Sequence, residues 1–199
     1  MDQAWLVAPA YLLGAIPFGL LFTRWLAHKD VRQTGSGNIG ATNALRAGGK
    51  LVGALSLLAD LLKGSIPVAV GLFVFNASDL LTGLIATSAF LGHLFPVYLG
   101  FKGGKGVATL FGVVLPWQPW VALLVFILWL AVLFVSRYVS IASISAGVGF
   151  PVLAWTLDAS RFCLLALAML GLLMIVKHKD NLKRLAQGCE PRIGAPKDA

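Results

Sequence analysis

Seven apolar runs, at residues 5–26, 51–75, 80–99, 107–115, 120–135, 139–155 and 162–176, fill most of this 199-residue chain. With 58% of the residues hydrophobic and 12% charged, a soluble domain could not hide so much apolar surface. In lipid every backbone polar group must be paired inside its own segment, so the runs read as helices. The fold class is all-α, a polytopic membrane protein of seven transmembrane helices forming a single domain over 1–199. One helix is half-length: the run 107–115 stops at Pro116 and covers roughly 14 Å, under half of a ~30 Å hydrocarbon core. A hydropathy window alone would report as few as five spans, and the loops decide between the counts.

With seven spans, residues 1–4, 76–79, 116–119 and 157–161 fall on one side, and their only basic residue is Arg161. The other side receives 28–50, 102–105, Arg137 and 177–197, which carry nearly all the Lys and Arg. Short basic loops stay in the cytoplasm, which puts the N-terminus outside and the C-terminus inside. The net charge of +8 therefore reports orientation, and nucleic acid is not an expected partner. Repeated apolar runs make the first a retained span rather than a cleaved signal. Trp5, Trp117, Trp120 and Trp155 fall near the outer ends, as interfacial anchors do. Cys163 and Cys189 lie at opposite ends of the last span, too far apart to pair, and neither has metal-ligand company.

Three polar segments, far apart in sequence, are delivered by this topology to the cytoplasmic face. The first is Thr34-Gly35-Ser36-Gly37-Asn38-Ile39-Gly40-Ala41-Thr42-Asn43 with Arg46. Small hydroxyls, amides and glycines without a carboxylate can form an anion nest, and Arg46 adds a fork that suits phosphate. The plainer reading is a loop of turn formers. The second is Gly92-His93 through Phe101-Lys102-Gly103-Gly104-Lys105-Gly106, leading into the half-length helix and Thr109. A short helix behind a Gly/Lys loop aims its N–H groups and positive dipole end at an anion, with phosphate the first choice. It is not a P-loop, because Leu99 and Gly106 stand where that motif needs glycine and Ser or Thr. Lys105 is a phosphate clamp, Lys102 either a clamp or a topology determinant, and His93 either a packed residue or part of the site.

The third segment runs from Lys177 through His178 and Asn181 to Glu190. If the last helix continues into the cytoplasm, His178 and Asn181 share a face at i, i+3. The plain alternative is an amphipathic tail on anionic lipid. Asp60 and Lys63, one turn apart inside the second span, either line the cavity or brace it internally; bracing is the expectation, with Lys63 close to the site. Ser143, in a small-residue stretch, is either a packing residue or a phosphate ligand.

Together the three segments resemble the bacterial membrane glycerol-3-phosphate acyltransferases that use acyl phosphate as donor. Gly35 to Asn43 with Arg46 matches the first motif of that family, Gly92-His93 through Thr109 the second, and His178, Asn181, Arg184-Leu185, Gly188 and Glu190 the third. The similarity runs over essentially the whole chain. It implies a seven-span fold in the bacterial inner membrane with a cytoplasm-facing active site. It also implies transfer of a fatty acyl group to the 1-hydroxyl of sn-glycerol 3-phosphate, without cofactor or metal. The basic face leaves room for transient contact with the soluble enzyme that makes acyl phosphate. The His-x4-Asp pair of thioester-dependent acyltransferases is absent: Gln33, Tyr98 and Lys183 follow the three histidines at that spacing. On this reading Ser36, Arg46, Lys105 and Ser143 hold the phosphate of glycerol 3-phosphate. The backbone of Gly103-Gly104-Lys105-Gly106, with Asn38, Thr42 and Asn43, holds the other phosphate. His178 is the base or orienting group, unless a substrate phosphate takes the proton, and Asn181 is the oxyanion donor.

Two rivals are weaker. A transporter for a phosphorylated metabolite would need polar residues along an outward path, and the polar residues gather on one face. An alcohol phosphotransferase would need a cluster of intramembrane aspartates, where Asp60 stands alone.

Overall fold

A computed structural model describes residues 3–194. Met1, Asp2 and residues 195–199, including Lys197 of the basic tail, lie outside the described residues. Every regular element among the described residues is helical. Two compact units divide the chain, Met1–Trp117 and Gln118–Ala199.

The first unit holds α1 (Val7–Gly14), α2 (Phe18–Ala27), α3 (Ala41–Ala69), α4 (Asp79–Leu94) and α5 (Val107–Trp117). Its first apolar run, expected as one span, is two helices broken at Ile16-Pro17. Proline has no N–H to donate and pushes the residue before it out of helical geometry, so the ladder stops there. The segment Ala4–Ala27 is still long and apolar enough to cross a membrane. The basic stretch 28–50, read as a loop, turns helical at Ala41, so Thr42, Asn43 and Arg46 ride the first turns of α3. Gly49, at φ 84°, kinks that helix before its apolar stretch.

Glycines set the helix contacts. A Cβ on Gly64 would run into the Thr109 carbonyl, and one on Gly112 into the Leu61 carbonyl, so α3 and α5 meet backbone to backbone. Ser65 Oγ donates to the Gly112 carbonyl at 2.9 Å across that seam. Gly14 and Gly92 bring α1 against α4 in the same way. The half-length helix runs to Trp117, two residues past the expected stop, with Pro116 inside its last turn. Trp117 is not an interfacial anchor: it is buried, and its indole N–H donates to Asp79 Oδ1 at 2.8 Å. Trp5, Trp120 and Trp155 are exposed.

The second unit holds α6 (Pro119–Ser136), α7 (Val139–Thr156), α8 (Arg161–Lys177) and α9 (Lys179–Ala186). Neighbours in sequence pack as neighbours in space, α6 on α7 and α7 on α8, the latter pair meeting at Gly147 and Gly171. The last helix does not run straight on: it bends by 51° at His178. Cys163 is buried, Cys189 exposed, and both are free thiols.

Five segments are long and apolar enough to cross a membrane; α8 makes a sixth if the bent α8–α9 pair counts as one span, and α5 is a shorter apolar helix. This is a multi-pass membrane protein.

Candidate active site

The first motif is shaped from inside by one amide. Asn43 is buried, and its Nδ2 stands 2.9 Å from each of the Val31, Thr34 and Asn38 carbonyls. Its Oδ1 accepts the Ser36 N–H at 3.3 Å, while Asn38 Oδ1 accepts the Gly40 N–H at 3.2 Å. These bonds take up the Ser36 and Gly40 N–H groups and three loop carbonyls, and they close the loop into a fixed shape. Ser36, Thr42 and Arg46 are left exposed around it. A Cβ on Gly35 would meet Arg46 Cδ at 3.8 Å, so the Arg46 stem lies beside Gly35-Ser36. At the loop's entry Asp30 takes hydrogen bonds from Arg32 at 2.6 Å and Arg24 at 2.8 Å. Chiefly the Arg32 bond, against the opposing effect of burial and with help from Arg24, holds that carboxyl far below the usual range.

The second motif turns out of α4 through Gly100 and Phe101, both left-handed at φ 57° and 63°. Lys102 is exposed and Lys105 half-buried. Gly103 and Gly104 lie directly on the end of α4: a Cβ on Gly103 would strike the His93 carbonyl, and one on Gly104 the tip of the His93 ring. The Gly104 N–H donates to the His93 carbonyl at 3.1 Å, so it is committed to the fold rather than to a ligand. Gly106 is pressed on the Phe90 ring and accepts the Leu110 N–H at 2.7 Å, opening α5. One turn in, Thr109 Oγ1 is fully buried and, among the described residues, has no hydrogen-bond partner.

Beneath that loop lies an intramembrane ion pair. Lys63 Nζ is 2.8 Å from Asp60 Oδ1 and donates to the Ile16 carbonyl at 2.8 Å, with the Phe18 ring 5.8 Å away. The lysine thus pairs a carbonyl that the Pro17 break took out of helical geometry. His93 Nδ1 stands 3.7 Å from Asp60 Oδ1. The first unit therefore brings Lys63, His93, Gly103 and Gly104 together. Sequence reasoning missed Ile16; Pro17 inside an apolar run was the available signal.

In the second unit Ser143 is buried, donates to the Val139 carbonyl at 2.8 Å and accepts the Trp129 indole N–H at 3.4 Å. His178 Nδ1 is 2.8 Å from the Met174 carbonyl. A carbonyl only accepts, so Nδ1 carries the proton and, in the neutral ring, Nε2 keeps the lone pair. Asn181 Nδ2 donates to Glu190 Oε1 at 2.6 Å, and Arg184 Nε to Glu190 Oε2 at 2.7 Å. Burial works to raise the Glu190 carboxyl, but the hydrogen bonds from Asn181 and Arg184 outweigh it and hold it below the usual glutamate range. Beyond it Arg192 Nε donates to Tyr138 Oη at 2.6 Å, and the Ile193 N–H to the Arg137 carbonyl at 2.9 Å. The segment after α9 is thereby fastened to the α6–α7 corner, which sequence reasoning did not foresee.

The family model described as glycerol-3-phosphate acyltransferase matches residues 4–188. A glycerol-3-phosphate acyltransferase of Mesorhizobium japonicum is 49% identical over 187 residues, 93% of each chain. One from Syntrophotalea carbinolica is 41% identical, covering 94% of this chain and 95% of its own. Among solved structures, the glycerol 3-phosphate form of PlsY (YgiH), an integral membrane glycerol 3-phosphate acyltransferase, is 42% identical with a TM-score of 0.91, covering 97% of this chain and 96% of its own. Its lysophosphatidic acid form gives 41% and 0.89 at the same coverage. The motifs that organise both units thus lie in a chain matched nearly end to end, and the chain belongs to the glycerol-3-phosphate acyltransferase family.

Proposed function

We propose that this protein transfers a fatty acyl group from acyl phosphate to the 1-hydroxyl of sn-glycerol 3-phosphate, releasing lysophosphatidate and inorganic phosphate, the entry step of phospholipid synthesis. The observation that carries the reading is the near full-length likeness to PlsY, known in forms with glycerol 3-phosphate and with lysophosphatidic acid. The seven-span count, an outer N-terminus, a cytoplasmic C-terminus and site, and residence in the bacterial inner membrane belong to the same proposal. So do action as a single catalytic domain over 1–199 and a transient contact between the basic loops and the soluble enzyme that makes acyl phosphate.

In the first unit Ser36, Arg46 and Lys105 take the phosphate of glycerol 3-phosphate. The Gly103–Gly106 backbone, through N–H groups other than that of Gly104, and Lys102, at the positive end of α5, take that of acyl phosphate, with Thr109 behind them and Asn38, Thr42 and Asn43 shaping the neighbouring nest. In the second unit Ser143 assists phosphate binding. Acyl phosphate is a mixed anhydride with a good leaving group, so catalysis consists mainly of positioning the hydroxyl and stabilising the developing oxyanion. The hydroxyl oxygen attacks the acyl carbon, the carbon–oxygen bond to phosphate breaks, and no acyl-enzyme forms. His178 receives or orients the hydroxyl proton through Nε2. Asn181 offers the oxyanion its second N–H, the first being held by Glu190.

Purified protein in detergent with chelator, given both substrates, is expected to release phosphate and lysophosphatidate one for one. Absence of product, or a covalent acyl-protein that turns over to product, sinks the reading. If His178 is the base, His178→Gln lowers kcat by about a hundredfold or more and removes the pH limb near neutrality. A substantial residual rate assigns the proton to a substrate phosphate instead.

A further inference from the structure

We propose that Asp60 is a positioning residue for the phosphate loop, acting through the His93 ring on the Gly103-Gly104 backbone. The proposal rests on the reading of that loop as the acyl-phosphate cradle.

Three contacts connect the carboxylate to the loop. Asp60 Oδ1 faces His93 Nδ1 at 3.7 Å. The tip of the same ring is pressed on Gly104, closely enough that a methyl group there could not be accommodated without moving it. The Gly104 N–H is fastened to the His93 carbonyl at 3.1 Å. His93 therefore meets the loop with both ring and backbone, and the direction of its ring decides where Gly104 rests.

Asp60 is itself immobile. It is 2% exposed, and Lys63 ties it to the Ile16 carbonyl at the break between α1 and α2. A pair that served only as a brace would do as well or better as two apolar side chains, because burying charges costs more than apolar packing of the same volume. What apolar residues cannot supply is a fixed negative charge beside an imidazole. The carboxylate charge orients the ring across 3.7 Å, a distance longer than a hydrogen bond, the ring holds Gly104, and Gly104 sets the loop ahead of Lys105 and α5. Displacements near 1 Å in such a cradle cost about a hundredfold in the worst case.

Removing Asp60 alone would strand the Lys63 charge, so the test removes the pair together. Asp60→Asn with Lys63→Met is expected to fold in detergent and to raise KM for acyl phosphate about tenfold, with kcat and the KM for glycerol 3-phosphate within about threefold of wild type. His93→Gln and Gly104→Ala are expected to show the same split. Combining either with the double variant should not multiply the effects, because all act on one contact. A double variant with wild-type kinetics makes the pair a brace and overturns the proposal; so do effects that multiply independently. If the double variant yields no folded protein, Asp60→Glu, which keeps the charge and moves the carboxylate, is combined with Gly104→Ala in its place: the same split without multiplication supports the proposal, and wild-type kinetics or independent effects overturn it. Lys105→Met separates this from the underlying reading. If it leaves both KM values unchanged, the phosphate loop itself fails. If it raises one while the Asp60, Lys63 and His93 variants raise neither, only the relay fails. In the Asp60–Lys63 double, His93 and Gly104 variants, a rise confined to the KM for glycerol 3-phosphate keeps the relay and overturns the assignment of the Gly103-Gly104 backbone to acyl phosphate.

Discussion

Asn43 and Glu190 show how single side chains turn polar sequence into defined loops. Each is buried and serves several partners from both sides, Asn43 among backbone groups and Glu190 among side chains. For Glu190 the consequence can be measured. Its folded carboxyl lies below the ordinary value of 4.5, so its contribution to stability is complete above that value and is lost as pH falls through the lowered one. Thermal unfolding in detergent from pH 7 to 3 should show an acid loss of stability in wild type that is smaller in Glu190→Gln. Equal acid slopes would contradict the arrangement. Thr109 gives the opposite case: a buried hydroxyl without a partner costs stability. Thr109→Val is expected to raise stability by about 1 kcal/mol while lowering kcat/KM several-fold. Higher stability with an undiminished rate would remove Thr109 from the binding residues.

Among the elements, the broken first span is where sequence reasoning failed and why is clear. Hydropathy averages across Pro17 without noticing it, and the residue that repairs the break, Lys63, comes from another helix. That Asp60 and Lys63 pair with each other was legible, because two opposite charges one turn apart leave few options in lipid. Helix limits of α6, α7 and α8 were legible to within about a residue, since the apolar runs there are bounded by Pro119, Ser136, Thr156, Arg161 and Lys177. The bend at His178 was not, because nothing in residues 177–181 forbids a continuous helix. The shape of the Gly/Lys loop was legible only as freedom; that Gly104 needs it for close approach to His93 required the fold. Lys63→Met leaves the buried Asp60 without its cation and takes one of two donors from the Ile16 carbonyl, and is expected to cost about 3–5 kcal/mol in chemical or thermal unfolding. The double change with Asp60→Asn should recover most of that, and failure to recover would mean that the Ile16 bond matters more than the ion pair.

At the scale of the whole molecule the apolar pattern and the placement of basic loops carry the proposed orientation. Single cysteines placed at Lys29, Lys50 and Lys183 should react with a membrane-impermeant thiol reagent only in inverted vesicles, and one at Asn76 only in right-side-out cells, once Cys163 and Cys189 are replaced. Labelling of Asn76 and Lys50 from the same side would overturn the seven-span count. The spacing of the buried charges bears on how such a chain enters the bilayer at all. Asp60 and Lys63 belong to one helix turn, so they cancel locally as soon as that turn forms. Partitioning of the second span from the insertion machinery into lipid therefore need not wait for a neighbour, and docking on the Ile16 carbonyl of the first span completes a site that was already electrically neutral.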